Sequence, residues 1–201
     1  MTAKEMDKFM DHLDTYFQQT DCMVLHPVAG DPHIDVLLYK PSNKYPYWKL
    51  VTMGAGDYRM PVQNPPLGNR NEYIMFVASD EDLEDATIRG QYVRYLMEVA
   101  LYPMMHGCYI SYGHSIEWAP EANEEMVGAY IEMPQIIQDP GVLRCKLGLL
   151  KTVVCLQVVL LTRNEMNTLL EIGPQAFSNY LYPDSDEPCH FICELHRSEK
   201  F

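Results

Sequence analysis

The chain has 201 residues, the size of one domain, and a chain of this length buries roughly 70% of the surface its unfolded form exposes. Its 47% hydrophobic and 21% charged content is ordinary globular usage, which excludes the disordered and fibrous classes. With 28 acidic against 15 basic residues the formal charge is −13, a field that repels nucleic-acid phosphates and anionic membranes and attracts a basic partner.

From the N-terminus, Met6, Phe9, Met10, Leu13, Tyr16 and Phe17 fall on one face of a helix over residues 4–19. The start carries no basic stretch, apolar run and cleavage site of the secretory kind. Asp31-Pro32 then punctuates the chain before His33–Tyr39, which reads as a strand closed by Pro41, Ser42 and Asn43. A second strand, Trp48–Met53, follows.

Three glycines and three prolines between Gly54 and Asn71 predict an ordered loop rather than helix or central strand. Glu72–Val77 returns to a strand pattern. The acidic run Asp80, Glu81, Asp82, Glu84 and Asp85 reads as a solvated turn whose charge suits the start of the next helix. That helix runs from Thr87 to Tyr102 through Tyr92, Tyr95, Leu96, Val99 and Ala100, and Pro103 is expected to stop it. Short strands are predicted at Cys108–Tyr112 and Val127–Met133.

The apolar run Leu147–Leu161 is interrupted by Lys151 and Gln157 and is shorter than the roughly 20 residues of a membrane span; it reads as a buried strand pair or one long strand. Thr162-Arg-Asn-Glu165 has the form of a capping box, so a helix begins near Asn164. Gly173 can end it in the left-handed conformation, and Pro174 suits the first turn of a short helix reaching Leu181. Cys189–Leu195 reads as a last edge strand. With no repeat or dividing linker, residues 1–201 form one domain of the α+β class, a central, mostly antiparallel sheet with helices packed on it.

The six cysteines, Cys22, Cys108, Cys145, Cys155, Cys189 and Cys193, are dispersed and several have apolar neighbours, the pattern of reduced thiols in a cytoplasmic protein rather than a disulfide framework.

Reaction chemistry is sparse. Gly54-Ala-Gly56 lacks the third glycine and the Gly-Lys-Ser/Thr of a phosphate loop, and Gly113-His114-Ser115 has Glu117 where a nucleophile elbow needs glycine. Cys189, His190, Cys193 and His196 are potential zinc ligands, but on a strand the cysteines face one side and the histidines the other, so no metal or other cofactor is expected. His33 and Asp35 share a strand face and, with His106, His114 and Glu72, offer the residues of acid–base chemistry. Nothing local makes them converge. A hydrolase-like enzyme using these residues therefore stays the third reading, behind two binding roles.

The segments His33-Ile-Asp-Val36, Leu50-Val-Thr-Met-Gly54 followed by Met60-Pro61, Asn71-Glu-Tyr-Ile-Met-Phe76, Gly107-Cys-Tyr-Ile-Ser111 and Leu161-Thr-Arg-Asn-Glu165 stand in an order and spacing that resemble the suppressor of fused domain family over residues 33–182. The resemblance implies a mixed α/β domain without catalysis. Animal relatives hold a short transcription-factor peptide as a strand between this domain and a second one, whereas short bacterial relatives look like immunity proteins that neutralise toxins by binding. The expected function is a protein-binding module of the immunity or antitoxin type with a basic toxin as partner, or else a peptide-binding regulator. The resemblance places a peptide-binding edge at Leu50–Tyr58, with Leu50 as apolar contact and Asp57 and Tyr58 as polar or aromatic ones. Ser111-Tyr-Gly-His114 matches the tetrapeptide of the animal partner, here inside the predicted sheet.

Overall fold

The computed structural model describes residues 1–26, 32–119, 125–181 and 192–196. Within them a sheet of eight strands is covered by helices on both faces. The strands are β1 (Cys22–Leu25), β2 (Asp35–Tyr39), β3 (Trp48–Met53), β4 (Asn71–Val77), β5 (Ser115–Glu117), β6 (Met126–Glu132), β7 (Arg144–Lys146) and β8 (Thr152–Thr162), and the helices are α1 (Ala3–Phe17), α2 (Ala86–His106), α3 (Arg163–Ile172) and α4 (Pro174–Leu181). The order across the sheet is β1-β2-β3-β4-β8-β6-β5, with β7 also paired to β8. Every pairing among these strands is antiparallel except β4 with β8. The mixed α/β class and mostly antiparallel sheet match the sequence expectation.

Side chains alternate across a strand, and β8 shows what the alternation achieves. Val154, Leu156, Val158 and Leu160 face a continuous core completed by Tyr92, Leu96 and Val99 of α2. On the other face Val153 and Cys155 join Phe9, Leu13 and Phe17 of α1, and Val159 and Leu161 join Met166, Leu169 and Phe177 of α3 and α4. The three α1 side chains are fully buried, each contributing about 2 kcal/mol over an exposed position. Thr2 and Glu5 form a capping box that starts α1, which satisfies amides the first turn leaves open.

Several local expectations are revised. Helix α2 does not stop at Pro103 but runs on to His106, where Gly107 closes it in the left-handed conformation. Proline removes only its own amide bond, so three residues from the end the remaining turn stays bonded. Cys108–Tyr112 is not a strand. Ser111 and His114 close a turn, the Ser111 amide lying 2.8 Å from Nδ1 of His114 and the His114 amide donating to the Ser111 carbonyl. Gly113 has φ +82° there, and the strand begins at Ser115. The Ser111–His114 tetrapeptide is thus a turn leading into an edge strand. Of the apolar run, only the part from Thr152 is strand, and β8 extends to Thr162.

The capping box at Thr162 and Glu165 is present and α3 follows it. Gly173 has φ +81° and ψ +163°, a positive-φ conformation open essentially to glycine but outside the left-handed helical basin. At the C-terminal end Cys189 and His190 lie outside the described residues; Cys193 is buried and makes a parallel bridge to Val77, and the exposed His196 is 3.9 Å from Glu125.

Candidate functional site

The end of β3 and the starts of β4 and β8 lie together, and a buried carboxylate organises the turn between them. Glu72, fully buried on β4, accepts the Thr52 hydroxyl at 2.7 Å and the amides of Gly54 and Gly56 at 2.9 Å each. Gly54 has φ +122°, and a Cβ there would stand 2.4 Å from the His33 carbonyl oxygen, so only glycine fits. Burial pushes the Glu72 carboxyl up to about 7, against the pull of its three hydrogen bonds and with a further push from Asp57.

Beyond this turn the chain is tied down by charge. Arg70 donates to the carbonyls of Gly56 and Asp57 at 2.9 and 2.6 Å. Lys151 bridges Asp57 at 2.6 Å and Glu5 at 3.1 Å, and the terminal amino group pairs with Asp57. The Lys151 and terminal ammonium groups hold the Asp57 carboxyl below its ordinary value despite the opposing effect of burial.

Of the residues singled out in sequence, Leu50 is fully buried in the core under α2, its strand paired on both sides; it is a core residue in this structure. Asp57 is exposed and Tyr58 half-buried. His33 and Asp35 come within 3.1 Å of each other, while His106 ends α2, His114 closes its turn and Glu72 is sealed beneath Gly54 and Gly56. Ser115 pairs with Tyr130 in β5, with no strand-to-helix turn to make it a nucleophile.

Next to Asp57 and Tyr58 opens a cavity of about 430 Å³ lined by Arg59, Arg70, Arg144, Leu67, Leu150 and Val154. It concentrates positive charge on a chain of net charge −13. At its rim the β7–β8 hairpin turns through Gly148, with the amides of Leu147 and Gly148 both donating to the Lys151 carbonyl, and it projects Leu149 and Leu150 at 91% and 96% exposure. Sequence reasoning placed these two leucines in a buried strand, and it had no signal for the arginines, which come from three separate segments. A larger groove of about 830 Å³ lies between the end of α1 and residues 44–47 and 135–139, but its aromatic walls, Tyr16, Tyr45 and Tyr47, are already buried or half-buried. Chemically, the arginine cavity offers charge-assisted hydrogen bonds to a carboxylate, and the leucine pair offers apolar area that only a second macromolecule would cover.

The family model described as suppressor of fused protein matches residues 30–197. No curated protein sequence matches the chain. Among solved structures it is similar to one described as the Sufu–Fu complex, with 16% identity and a TM-score of 0.68 over 97% of this chain and 91% of that one. It is also similar to a suppressor of fused homolog from Neisseria gonorrhoeae FA 1090, with 13% identity and a TM-score of 0.65 over 96% and 95% of the two chains. Drosophila Suppressor of Fused aligns at 17% identity and a TM-score of 0.65 over 94% of this chain, which spans about half of that protein's length, 49%.

Proposed function

The chain belongs to the suppressor of fused family, and from that premise we propose that it is a non-catalytic protein-binding module that docks through the β7–β8 tip and the adjoining arginine cavity. The observation that carries this reading is the pair Leu149 and Leu150, the most exposed large hydrophobic side chains among the described residues, set beside Arg59, Arg70 and Arg144. Arginine is among the residues enriched at binding hot spots, and the exposed leucine pair beside it supplies apolar area that a partner would cover. Asp57 and Tyr58, at the same rim, extend the contact.

Within that class we propose the immunity-type role, in which the protein neutralises a basic toxin by direct binding. The net charge of −13 supports it, because a surplus of one sign accelerates encounter with an oppositely charged protein and disfavours wrong partners. Steering and docking then use different charges: the whole surface draws a basic protein in, and the arginine cavity takes an acidic side chain of that protein.

The test is co-expression with the products of the genes flanking this one. One of them should arrest growth when expressed alone, and this chain should restore growth while L149S/L150S should not, although the variant folds with unchanged stability. If no flanking product is toxic, the immunity role fails. If rescue is unaffected by L149S/L150S together with R59E and R144E, the docking surface is elsewhere.

A further inference from the structure

The end of the β1–β2 pair at Leu25 and Val36 gathers three side chains that the docking surface does not use. Leu25 pairs with Val36, so the next step of the antiparallel register sets His26 opposite Asp35, and directly opposed residues point their side chains to the same face. His33 precedes Asp35 by two positions and emerges on that face as well. The result is convergence: Nδ1 of His26 is 2.7 Å and Nε2 of His33 is 3.1 Å from the same Asp35 oxygen, Oδ1. One ligand atom from each residue lies within 4.8 Å of the others. The rings stack with centroids 6.0 Å apart.

From this geometry we infer that His26, His33 and Asp35 form a site for one zinc-class divalent cation, bound by the two imidazoles and the carboxylate with water completing the shell. Two imidazoles and a carboxylate are a donor set that zinc accepts, and solvent commonly supplies the fourth ligand where a protein gives three. Zinc bonds of about 2.0–2.1 Å place tetrahedral donors about 3.3 Å apart, so the two histidine–carboxylate separations need to open only slightly.

Burial divides the task. The Asp35 side chain is 2% exposed, while those of His26 and His33 are 64% and 59% exposed. The anion sits where low dielectric strengthens attraction for a cation, and the rings leave the approach open to solvent. A metal-bound imidazole ligates through one ring nitrogen and carries its proton on the other; the nitrogens that face Asp35, Nδ1 of His26 and Nε2 of His33, are the ones placed to ligate. The His33 carbonyl lies against Gly54, which fixes the backbone that carries one ligand.

Calorimetric titration of Zn²⁺ into chelator-treated, reduced protein tests this. One ion per chain is expected, with H26A/H33A binding at least tenfold more weakly, since loss of even an outer-shell partner of a ligand typically costs about 10–100-fold. Both histidines are exposed, so the variant should keep its far-ultraviolet circular dichroism; D35N should weaken binding as well. Substituting Co²⁺ separates this site from the cysteines, because an imidazole–carboxylate site gives ligand-field bands without thiolate charge transfer. Absence of binding by the wild type overturns the assignment, and so does affinity unchanged in H26A/H33A or a thiolate-type cobalt spectrum.

Discussion

Glu72 shows how one side chain sets both geometry and pH response. Its folded pKa of about 7 lies above the 4.5 of an ordinary glutamate, so between those values the folded state holds a proton that the unfolded state has released. Stability from this group is therefore complete below about pH 4.5 and is lost as pH rises through 7, by at most about 3–4 kcal/mol at about 1.4 kcal/mol per unit. Glu132 is buried against the Ser178 hydroxyl, its carboxyl also raised by burial, and adds to the trend. His12 acts in the opposite direction: burial lowers its pKa, so its contribution is lost as pH falls. Comparing wild type with E72Q isolates the Glu72 share. The amide keeps an acceptor for Gly54 and Gly56, so E72Q should fold, and its urea-derived stability should fall less between pH 5 and 7.5 than that of the wild type. A constant difference between the two proteins across that range would show that Glu72 is ionised throughout. E72A, which orphans two buried amides and the Thr52 hydroxyl, should cost about 3 kcal/mol or more.

At the scale of elements, what could be read in the sequence depended on how far apart the partners are. The capping box at the start of α3 is legible because Thr162 and Glu165 stand three residues apart, and the structure has the Thr162 amide donating to Glu165 at 2.9 Å. T162A should cost about 1–2 kcal/mol in chemical denaturation, whereas L149S/L150S, on a tip that supports nothing beneath it, should stay within about 0.5 kcal/mol of wild type. Strands β3 and β4 were legible from their apolar runs. Strand β1 was not: Cys22–Leu25 is half-buried at both ends and exposed at Met23 and Val24, with no alternation to reveal it, and it exists because β2 offers an edge to pair with. The arginine cavity was equally hidden. The parallel pairing of Asn71–Ile74 with Val154–Gln157 brings Arg70 to the segment after Lys151, and no periodicity encodes a contact across eighty residues of chain. The same limit applied to His26, whose place opposite Asp35 follows from a hairpin register visible only once β1 is known.

For the whole molecule, the two faces of the sheet differ in continuity. The face under α2 is one core, while the opposite face divides into an α1 half and an α3–α4 half. Between them on that face stand the buried Gln157 and Glu132, opposite one another in the register of β6 and β8. Among the described residues, Ile136 is the one hydrophobic side chain packed against both halves, and it is only half-buried. Substitutions that share no neighbours add in their effect on stability, and those in contact do not. F9L in the α1 half and F177L in the α3–α4 half should each destabilise by about 1 kcal/mol, and the double variant should equal their sum within about 0.5 kcal/mol. Coupling above that limit would mean that the polar seam transmits packing between the halves. If the sum holds, strain produced by a partner at the β7–β8 tip, which adjoins the α1 half through the Lys151–Glu5 pair, would be contained there, and α3 and α4 would keep their packing in the bound protein.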